Sequence, residues 1–408
     1  MSRTASFRFL WIGQTAANLG DVLYVVVIIA MIYGATGSAM LTALVPIVTM
    51  STQLIGGFTA PLLIDRFRLT VLLWSTQLGK TLLFVLLTLN LDLFLHGGWL
   101  PLLYVLMALF SWLDSAANPA RNAIVPRLVD PSRLVKVNGL LASTDQTVQL
   151  AGWALGGVLF VALGGTLSLW LCFVLHAAAA LMMFGVRDPL PAEEQAADAS
   201  NKSGLESVKE GWVFVWRSPL LRLVIVMDAL EVLAEGVWIG AVVMVFVQEA
   251  LGQGAQWFGF LNAGYMAGML LGGMLVTAFS KWVEARMGLL LILGSIIYAL
   301  LNVGFALNST PWLALGICLL MGLPHQLKAV VQQTLFQTQV EARLLPKVFS
   351  VKLTVFYTGF ALSSLMMSLL TDAVGVRFVY LLAAALVGVA AVVATSQWKL
   401  LKKASVSP

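Results

Sequence analysis

The chain has 408 residues, of which 60% are hydrophobic and only 11% are charged, with a formal net charge of +5. A water-soluble protein of this size needs more polar surface, so the composition excludes a soluble domain. It predicts a membrane protein with many spans. In such a protein, an excess of basic residues reports topology and does not indicate a nucleic-acid partner.

Apolar windows of about 20 residues are typical of transmembrane helices. These windows predict about twelve helices, which we number in chain order: 6–34, 40–64, 69–90, 100–122, 138–163, 166–186, 219–249, 255–280, 285–306, 311–333, 348–371 and 376–398. The predicted fold class is therefore an all-α polytopic membrane protein. Lys and Arg cluster in alternate connections, which by the positive-inside rule face the cytoplasm together with both termini.

The longest interruption, at 188–218, separates the segments 1–187 and 219–408, each with six predicted helices. Its first part is acidic and rich in Ala and Pro, as is typical of a solvated linker. Its second part opens with Ser203 and Glu206, spaced as a capping box, and continues with apolar residues at helical spacing. This pattern predicts a short helix on the inner membrane surface. A plain tether is the alternative.

The two six-helix segments resemble each other in sequence. "LGDVLYVVVIIAM", which contains Asp21, aligns loosely with "LAEGVWIGAVVMV", which contains Glu235. "DPSRLVKVNGLL" and "EARLLPKVFSVK" each precede the fifth helix of their segment. Internal repeats joined by a linker are typical of secondary transporters whose site lies between two moving halves.

Polar residues inside the predicted spans form stripes, with members three or four positions apart on one helix face. Ionisable residues within spans are rare and mark substrate or ion pathways by default. The stripes are Gln14, Asn18 and Asp21 in helix 1; Asp114, Asn118 and Arg121 in helix 4; Asp228, Glu231 and Glu235 in helix 7; and His325, Lys328 and Gln332 in helix 10.

Asp21 lies near the start of a long apolar run, and the next charged residue is Asp65. Burial and neighbouring carboxylates favour the protonated form of a carboxyl group, so Asp21 and the three carboxylates of helix 7 are proton-coupling candidates. The alternative is a structural Asp21 that is hydrogen-bonded to Asn18 or paired with Lys80 or Arg121. Lys80, Gln77, Asp145 and Gln149 lack a matching stripe, and a structural role is expected for them.

Two motifs carry a family resemblance. "PLLIDRFRL" keeps an Asp-Arg pair, Asp65 and Arg66, after predicted helix 2, although Pro61 stands where a Gly is usual and Leu69 and Thr70 replace basic residues. "GLLASTDQTVQLAGWALGG" in helix 5 is similar to an antiporter signature, from which Val148 and Trp153 depart. With the twelve-helix layout, these motifs resemble the major facilitator superfamily over essentially the whole chain. "PRLVDPSRLVKVNGLL" is similar to bacterial drug:proton antiporters of the macrolide-efflux type.

The resemblance implies two pseudo-symmetric six-helix bundles, with helices 1, 4, 7 and 10 lining a central cavity. These are the helices that carry the polar stripes. It also implies residues that move or lock during gating: Asp65, Arg66, Arg121, Gly152, Gly156 and Gly157. The expected activity is proton-coupled export of amphipathic small molecules, as in drug efflux, by alternating access. Export of a specific metabolite, such as a metallophore, a siderophore or a lysolipid, is the alternative.

Aromatic side chains give an adaptable apolar wall that suits amphipathic cargo, and polar groups orient it. The cargo-binding candidates are Asn18, Tyr24, Trp112, Asp114, Asn118, Trp238, Tyr265, His325 and Lys328. The carboxylates favour cationic cargo, whereas His325 and Lys328 suit anionic or zwitterionic cargo. The sequence leaves both alternatives open.

Other functional classes find little support in the sequence. The two cysteines, Cys172 and Cys318, lie in predicted spans and are interpreted as packing residues. The three histidines are dispersed and no H-E-x-x-H motif occurs, so neither an enzyme, a metal site nor a cofactor is expected. We expect a monomer in the bacterial plasma (inner) membrane, with small-molecule cargo, protons and the lipid bilayer as its partners.

Overall fold

The computed structural model describes residues 3–189, 204–238, 240–254 and 256–404. The secondary structure in these ranges is helical. The helix Gly204–Arg217 lies in the second part of 188–218, where the sequence predicts a short helix. Ser203 of the predicted capping box lies outside the described ranges, as does most of the linker that precedes it.

The described helices account for the predicted spans. Ten helical segments are long and apolar enough to cross a membrane, and an eleventh is the bent pair Pro219–Trp238 and Ala241–Ala250. The segment Pro131–Phe184 has 54 residues, too many for one crossing of about 30 Å at about 1.5 Å per residue. It breaks at Gly164, whose φ of 75° is not helical. With this segment counted as two spans, the described chain has twelve.

We label the spans α1 to α12 in chain order. Their bounds are α1 Arg3–Thr36, α2 Ala39–Arg66, α3 Leu69–Leu89, α4 Leu100–Leu128, α5 134–163, α6 165–184, α7 Pro219–Glu235, α8 Gln256–Ala278, α9 Met287–Leu307, α10 Pro311–Gln339, α11 Leu345–Val374 and α12 Val376–Ser396. Shorter helices lie at Leu91–His96, Pro131–Arg133, Ser280–Glu284 and Trp398–Ala404.

The seventh span differs from the unbroken helix 219–249 that the sequence predicts. Regular α-helix ends at Glu235 and is followed by a 3₁₀ turn at Gly236–Trp238 and a π turn at Phe246–Ala250. The cause is Ser363 of α11, whose hydroxyl donates to the carbonyl of Leu233 and accepts from the amide of Gly236. A side chain inserted into the backbone ladder is a usual cause of a helix break.

The described chain divides into two compact units. Unit N comprises the described residues of Met1–Asp130, Thr147–Trp212 and Glu341–Thr354, and unit C comprises those of Pro131–Gln146, Val213–Val340 and Val355–Pro408. These units differ from the predicted bundles 1–187 and 219–408 at two places. The first residues of α5 belong to unit C, and the first residues of α11 belong to unit N. Close packing accounts for both, since Gly139 of α5 lies against Thr277 of α8, and Gly57 of α2 lies against Thr354 of α11.

Each unit has its own apolar core. In unit N the core gathers Phe84, Phe110 and Cys172, and in unit C it gathers Phe246 and Cys318. Both cysteines are buried and unoxidised, as the sequence predicts for packing residues. These cores surround the polar groups of the spans, so an ionised side chain there has few waters to solvate it.

A glycine contact joins α8 to α10 inside unit C. A Cβ at Gly268 would overlap the carbonyl oxygen of Leu319 and lie 3.1 Å from the Cα of Gly322. Such close backbone approach is typical of small residues between membrane helices. It fixes α10, which carries His325 and Lys328, against α8, which carries Tyr265.

We expect Gly268→Ala to lower the free energy of unfolding by about 1–3 kcal/mol, since the added methyl group has no space. Gly259→Ala in the same helix is the matched control, because a Cβ there meets nothing within 4 Å. Alanine also has the higher helix propensity, so this control should be neutral or slightly stabilising. Thermal unfolding of the purified proteins in detergent measures the difference. Equal unfolding temperatures for the two variants would contradict the packing argument.

Candidate functional site

A buried lysine connects the acidic residues of unit N. Lys80 of α3 donates to both carboxylate oxygens of Asp21 in α1, at 3.0 and 2.9 Å, and to Asp114 of α4 at 2.9 Å. The Lys80 side chain is 1% exposed, and those of Asp21 and Asp114 are about one-third exposed at 32% and 34%. The two predicted stripes thus meet at one ammonium group. Of the alternatives for Asp21, the structure has the pairing with Lys80.

His176 of α6 completes this group. Its Nε2 lies 3.4 Å from Oδ1 of Asp21, and its Nδ1 lies 3.1 Å from Oε1 of Gln77 in α3. The ring stacks on Phe84 with centroids 4.9 Å apart and is fully buried. Gly20 permits the approach, because a Cβ there would lie 2.8 Å from Nε2. We call Asp21, Lys80, Asp114 and His176 the unit N cluster.

Unit C contains a comparable lysine–carboxylate contact. Lys328 of α10 lies 2.7 Å from Oε1 of Glu231 in α7, and the Ser295 hydroxyl of α9 donates to the same oxygen at 2.8 Å. Lys328 is 3% exposed, and its ammonium group lies 5.1 Å from the ring centroid of Tyr298. Glu231 and Lys328 therefore neutralise each other inside the unit.

A second acidic group lies one helical turn further along α7. Glu235 Oε1 is 3.9 Å from Nδ1 of His325, and both side chains are partly exposed, at 21% and 25%. Trp238 stacks on Tyr265 with centroids 5.7 Å apart and an interplanar angle of 13°. The His325 ring contacts Tyr265 at 5.8 Å. We call Glu231, Glu235, His325 and Lys328 the unit C cluster.

Both clusters hold more carboxylates than lysines. The unit N cluster has two carboxylates and one lysine, and the unit C cluster also has two carboxylates and one lysine. With neutral histidines, each carries one excess negative charge. A buried excess charge is unfavourable and is relieved by binding a proton or a cation. The repulsion predicted along the α7 stripe is reduced because Lys328 neutralises Glu231.

The remaining cargo-binding candidates have different surroundings. Tyr24 packs against Phe84 and Phe110 and is buried in the unit N core, which argues against direct contact with cargo. Trp112 of α4 is half-buried and donates through its indole nitrogen to Thr59 of α2, at 2.9 Å.

Two predicted asparagines are hydrogen-bonded within their own helices. Asn18 accepts from Gln14 at 2.7 Å and Asn118 accepts from Asn122 at 2.9 Å. Asp228 is 8% exposed and lies in the middle of α7. Arg121 lies two turns inside α4, which extends to Leu128 beyond its predicted end.

The predicted gating pair is divided in the structure. Asp65 at the end of α2 is buried and lies 2.7 Å from Lys347 of α11, while Arg66 is exposed. Lys347 also contacts Glu210 of the helix Gly204–Arg217 at 2.8 Å, and Arg343 contacts the same carboxylate. Asp65 is thus connected through Lys347 to two further segments of unit N.

The glycines of the helix 5 motif lie in two environments. A Cβ at Gly152 would be 2.6 Å from Val22 of α1, and one at Gly156 would be 3.0 Å from Val26. A Cβ at Gly157 would meet no atom within 4 Å. The first two let α5 approach α1 closely, and the third does not contribute to that contact.

Unit C also has an apolar cavity of about 540 Å³. It is lined by Gly272, Leu275, Val276, Phe279, Trp282, Val283, Leu323 and Leu327. The lining includes no predicted site residue and no charged side chain. This cavity therefore has no charged group that could orient a ligand.

Some contacts do not follow from the sequence. The dispersed histidines give no reason to place His176 beside Asp21, and the sequence offers Lys80 as a partner of Asp21 but not of Asp114. A sequence signal existed for both, since each is an ionisable residue within an apolar span. Ser295 offered no such signal, because a serine in a membrane helix is common.

Comparisons with known proteins agree with this architecture. A family model described as the Major Facilitator Superfamily matches residues 10–351. The chain belongs to the Major Facilitator Superfamily. It is accordingly a multi-pass membrane transporter of small molecules and not an enzyme.

Relatives in this superfamily align over nearly the whole chain. An uncharacterized MFS-type transporter of Bacillus subtilis, YfmI, is 29% identical and the alignment covers 96% of each protein. Macrolide efflux protein A of Streptococcus pyogenes is 22% identical over 93% of each. A bacterial homologue of the iron transporter ferroportin, solved in an outward-facing state, has a TM-score of 0.77 at 16% identity, covering 96% of this chain and 98% of that one. The last likeness concerns the fold alone.

The Glu231–Lys328 contact generates a stability prediction. Lys328→Met leaves Glu231 without its buried cation, and breaking such a pair costs about 3–5 kcal/mol. Adding Glu231→Gln to the same chain should restore most of the loss, because no charge is then left unpaired. Folded yield and unfolding temperature in detergent measure both effects.

The control for that experiment is Lys399→Met, which removes an exposed lysine and should leave both readouts unchanged. If the double variant is as unstable as the sum of the two single substitutions, Glu231 and Lys328 do not stabilise each other.

Proposed function

We propose that this transporter exports amphipathic cationic small molecules in exchange for protons, by alternating access. The observation that carries the proposal is the Glu235–His325 pair beside the stacked rings of Trp238 and Tyr265. It combines a partly exposed carboxylate, a group that can hold a proton at neutral pH, and an aromatic surface. These are the elements that a proton–cation exchange site needs.

The exchange follows from charge. When no cargo is bound, a proton on His325 or Glu235 relieves the excess negative charge of the unit C cluster. A bound cation relieves the same charge, and its repulsion of imidazolium favours release of the proton. Proton and cation therefore compete for one acidic group. Glu231 and Asp228 lie on the same helix and remain proton-coupling candidates beside Glu235.

The aromatic surface supports an amphipathic cargo. A cation above the face of a Trp or Tyr ring is attracted by the ring quadrupole, most strongly where water is scarce. Trp238 and Tyr265 are half-buried, so part of each ring remains accessible. Asp114, Asn18, Trp112 and Asn118 are the corresponding cargo-binding candidates in unit N, and Asp21 is its proton-coupling carboxylate.

The relatives support the export direction. Macrolide efflux protein A, 22% identical over 93% of this chain, is named as an efflux protein. Localisation in the bacterial plasma membrane, cytoplasmic termini and a monomeric state complete the proposal. Export of a specific metallophore, siderophore or lysolipid is the second candidate. It depended on Lys328 and His325 as anion-binding groups, and Lys328 is instead buried against Glu231.

We assign gating to the Asp65 contact. The Asp65–Lys347 ion pair connects the ends of α2 and α11, and Glu210 holds the same ammonium group. This pair must break if these helix ends are to separate during transport. Arg66 and Arg121 remain gating candidates, while Gly152 and Gly156 permit sliding of α5 on α1.

The test is efflux from proteoliposomes against an imposed pH gradient, with ethidium and a macrolide as probes. Wild-type protein should export both probes faster when the imposed gradient drives protons into the vesicles. Glu235→Gln should lower this stimulation by about tenfold, within the range usual for coupling between two ligands. It should leave downhill movement of the probes without a gradient largely intact.

Glu249→Gln is the matched control, because Glu249 is exposed further along the same span and should behave as wild type. The proposal fails if wild-type protein moves neither probe in response to the gradient. The assignment of Glu235 fails if Glu235→Gln keeps wild-type, gradient-driven export.

A further inference from the structure

The two ring nitrogens of His176 both lie near oxygen acceptors, and Nε2 makes no hydrogen bond within the described chain. Both ring nitrogens face oxygen atoms: Nδ1 is 3.1 Å from Oε1 of Gln77, and Nε2 is 3.4 Å from Oδ1 of Asp21. A neutral imidazole has only one N–H donor, so its other nitrogen would direct a lone pair at an oxygen acceptor. In this arrangement, both contacts are favourable only for a doubly protonated ring.

A neutral ring is accommodated by a small change. If the amide of Gln77 rotates by 180°, its NH₂ group donates to Nδ1 and the remaining ring proton stays on Nε2, towards Asp21. The His176–Gln77 contact therefore has two satisfied arrangements that differ by one proton. Neither requires movement of a helix.

The groups around His176 come from three other helices. Asp21 of α1 and Gln77 of α3 lie against its ring, and Lys80 of α3 and Asp114 of α4 are joined to it through Asp21. The neutral groups Tyr24 and Cys172 lie in the same core. Two carboxylates and one lysine leave one excess negative elementary charge, and a protonated His176 ring would cancel it.

We infer that His176 is the proton-binding residue of unit N and that it takes up and releases a proton during transport. The exchanged proton resides on Nδ1, facing Gln77, when the unit N cluster is neutral. It leaves when another cation, or a changed Lys80 contact, neutralises Asp21. This inference rests on the proposed proton coupling and adds to it a residue outside the four helices that carry the polar stripes.

The direct test is ¹⁵N NMR of the wild-type protein labelled at histidine, which has three such residues. The His176 signal is assigned by its loss in His176→Gln. We expect the signal to change from that of the doubly protonated ring to that of the neutral ring as the pH is raised. Asp21→Asn, which removes the facing charge, should shift this change to lower pH. A His176 ring that stays neutral throughout would overturn the inference.

The transport test uses His176→Gln, which keeps a hydrogen-bonding side chain but binds no proton. Its export rate should lose most of the pH dependence that wild type shows. His96→Gln, at an exposed position, is the matched control and should keep the wild-type profile. An unchanged pH profile in His176→Gln would overturn the role in transport. Because NMR titration needs no cargo, failure of this inference is distinguishable from failure of the proposed function.

Discussion

The structure depends on one electrostatic constraint: carboxylates inside an apolar bundle must be neutralised. In each of the two clusters one buried lysine provides the opposite charge, Lys80 against Asp21 and Asp114 in one and Lys328 against Glu231 in the other. A lysine and a carboxylate so placed attract each other more strongly than in water, although desolvation offsets much of the gain. One lysine cannot neutralise two carboxylates, and we propose that the charge left over is the chemically active feature of each cluster.

The packing of the helices positions that charge. Gly20 lets the His176 ring approach Asp21, and the glycine contact between α8 and α10 brings His325 near Tyr265. Ser363 contacts the backbone where regular α-helix gives way to the 3₁₀ turn that carries Trp238, and Trp238 stacks on Tyr265. Local irregularities of the backbone therefore set the geometry of the unit C cluster. In membrane proteins such breaks are found where the backbone is buried in protein or lines a cavity.

Much of this was predictable from sequence. Hydropathy predicts the twelve spans, because the bilayer imposes their length, and the stripes containing Asp21, Asp114, Glu231 and Lys328 follow from helical periodicity. The partners do not follow, because spacing along one helix does not tell which neighbouring helix faces it. Lys80, on a helix without a stripe, joins two stripes, and His176 approaches only because Gly20 lacks a side chain. The first residues of α5 lie in unit C and those of α11 in unit N, and this assignment likewise depends on tertiary contacts.

The central claim is that cargo and protons neutralise the same excess charge. The most direct measurement is proton release when ethidium binds the purified protein in weakly buffered detergent solution, followed with a pH-sensitive dye. The account predicts that protons are released in proportion to bound ethidium, and that Glu235→Gln reduces the release while Glu249→Gln does not. Saturable binding of ethidium near neutral pH with no release of protons would contradict the account.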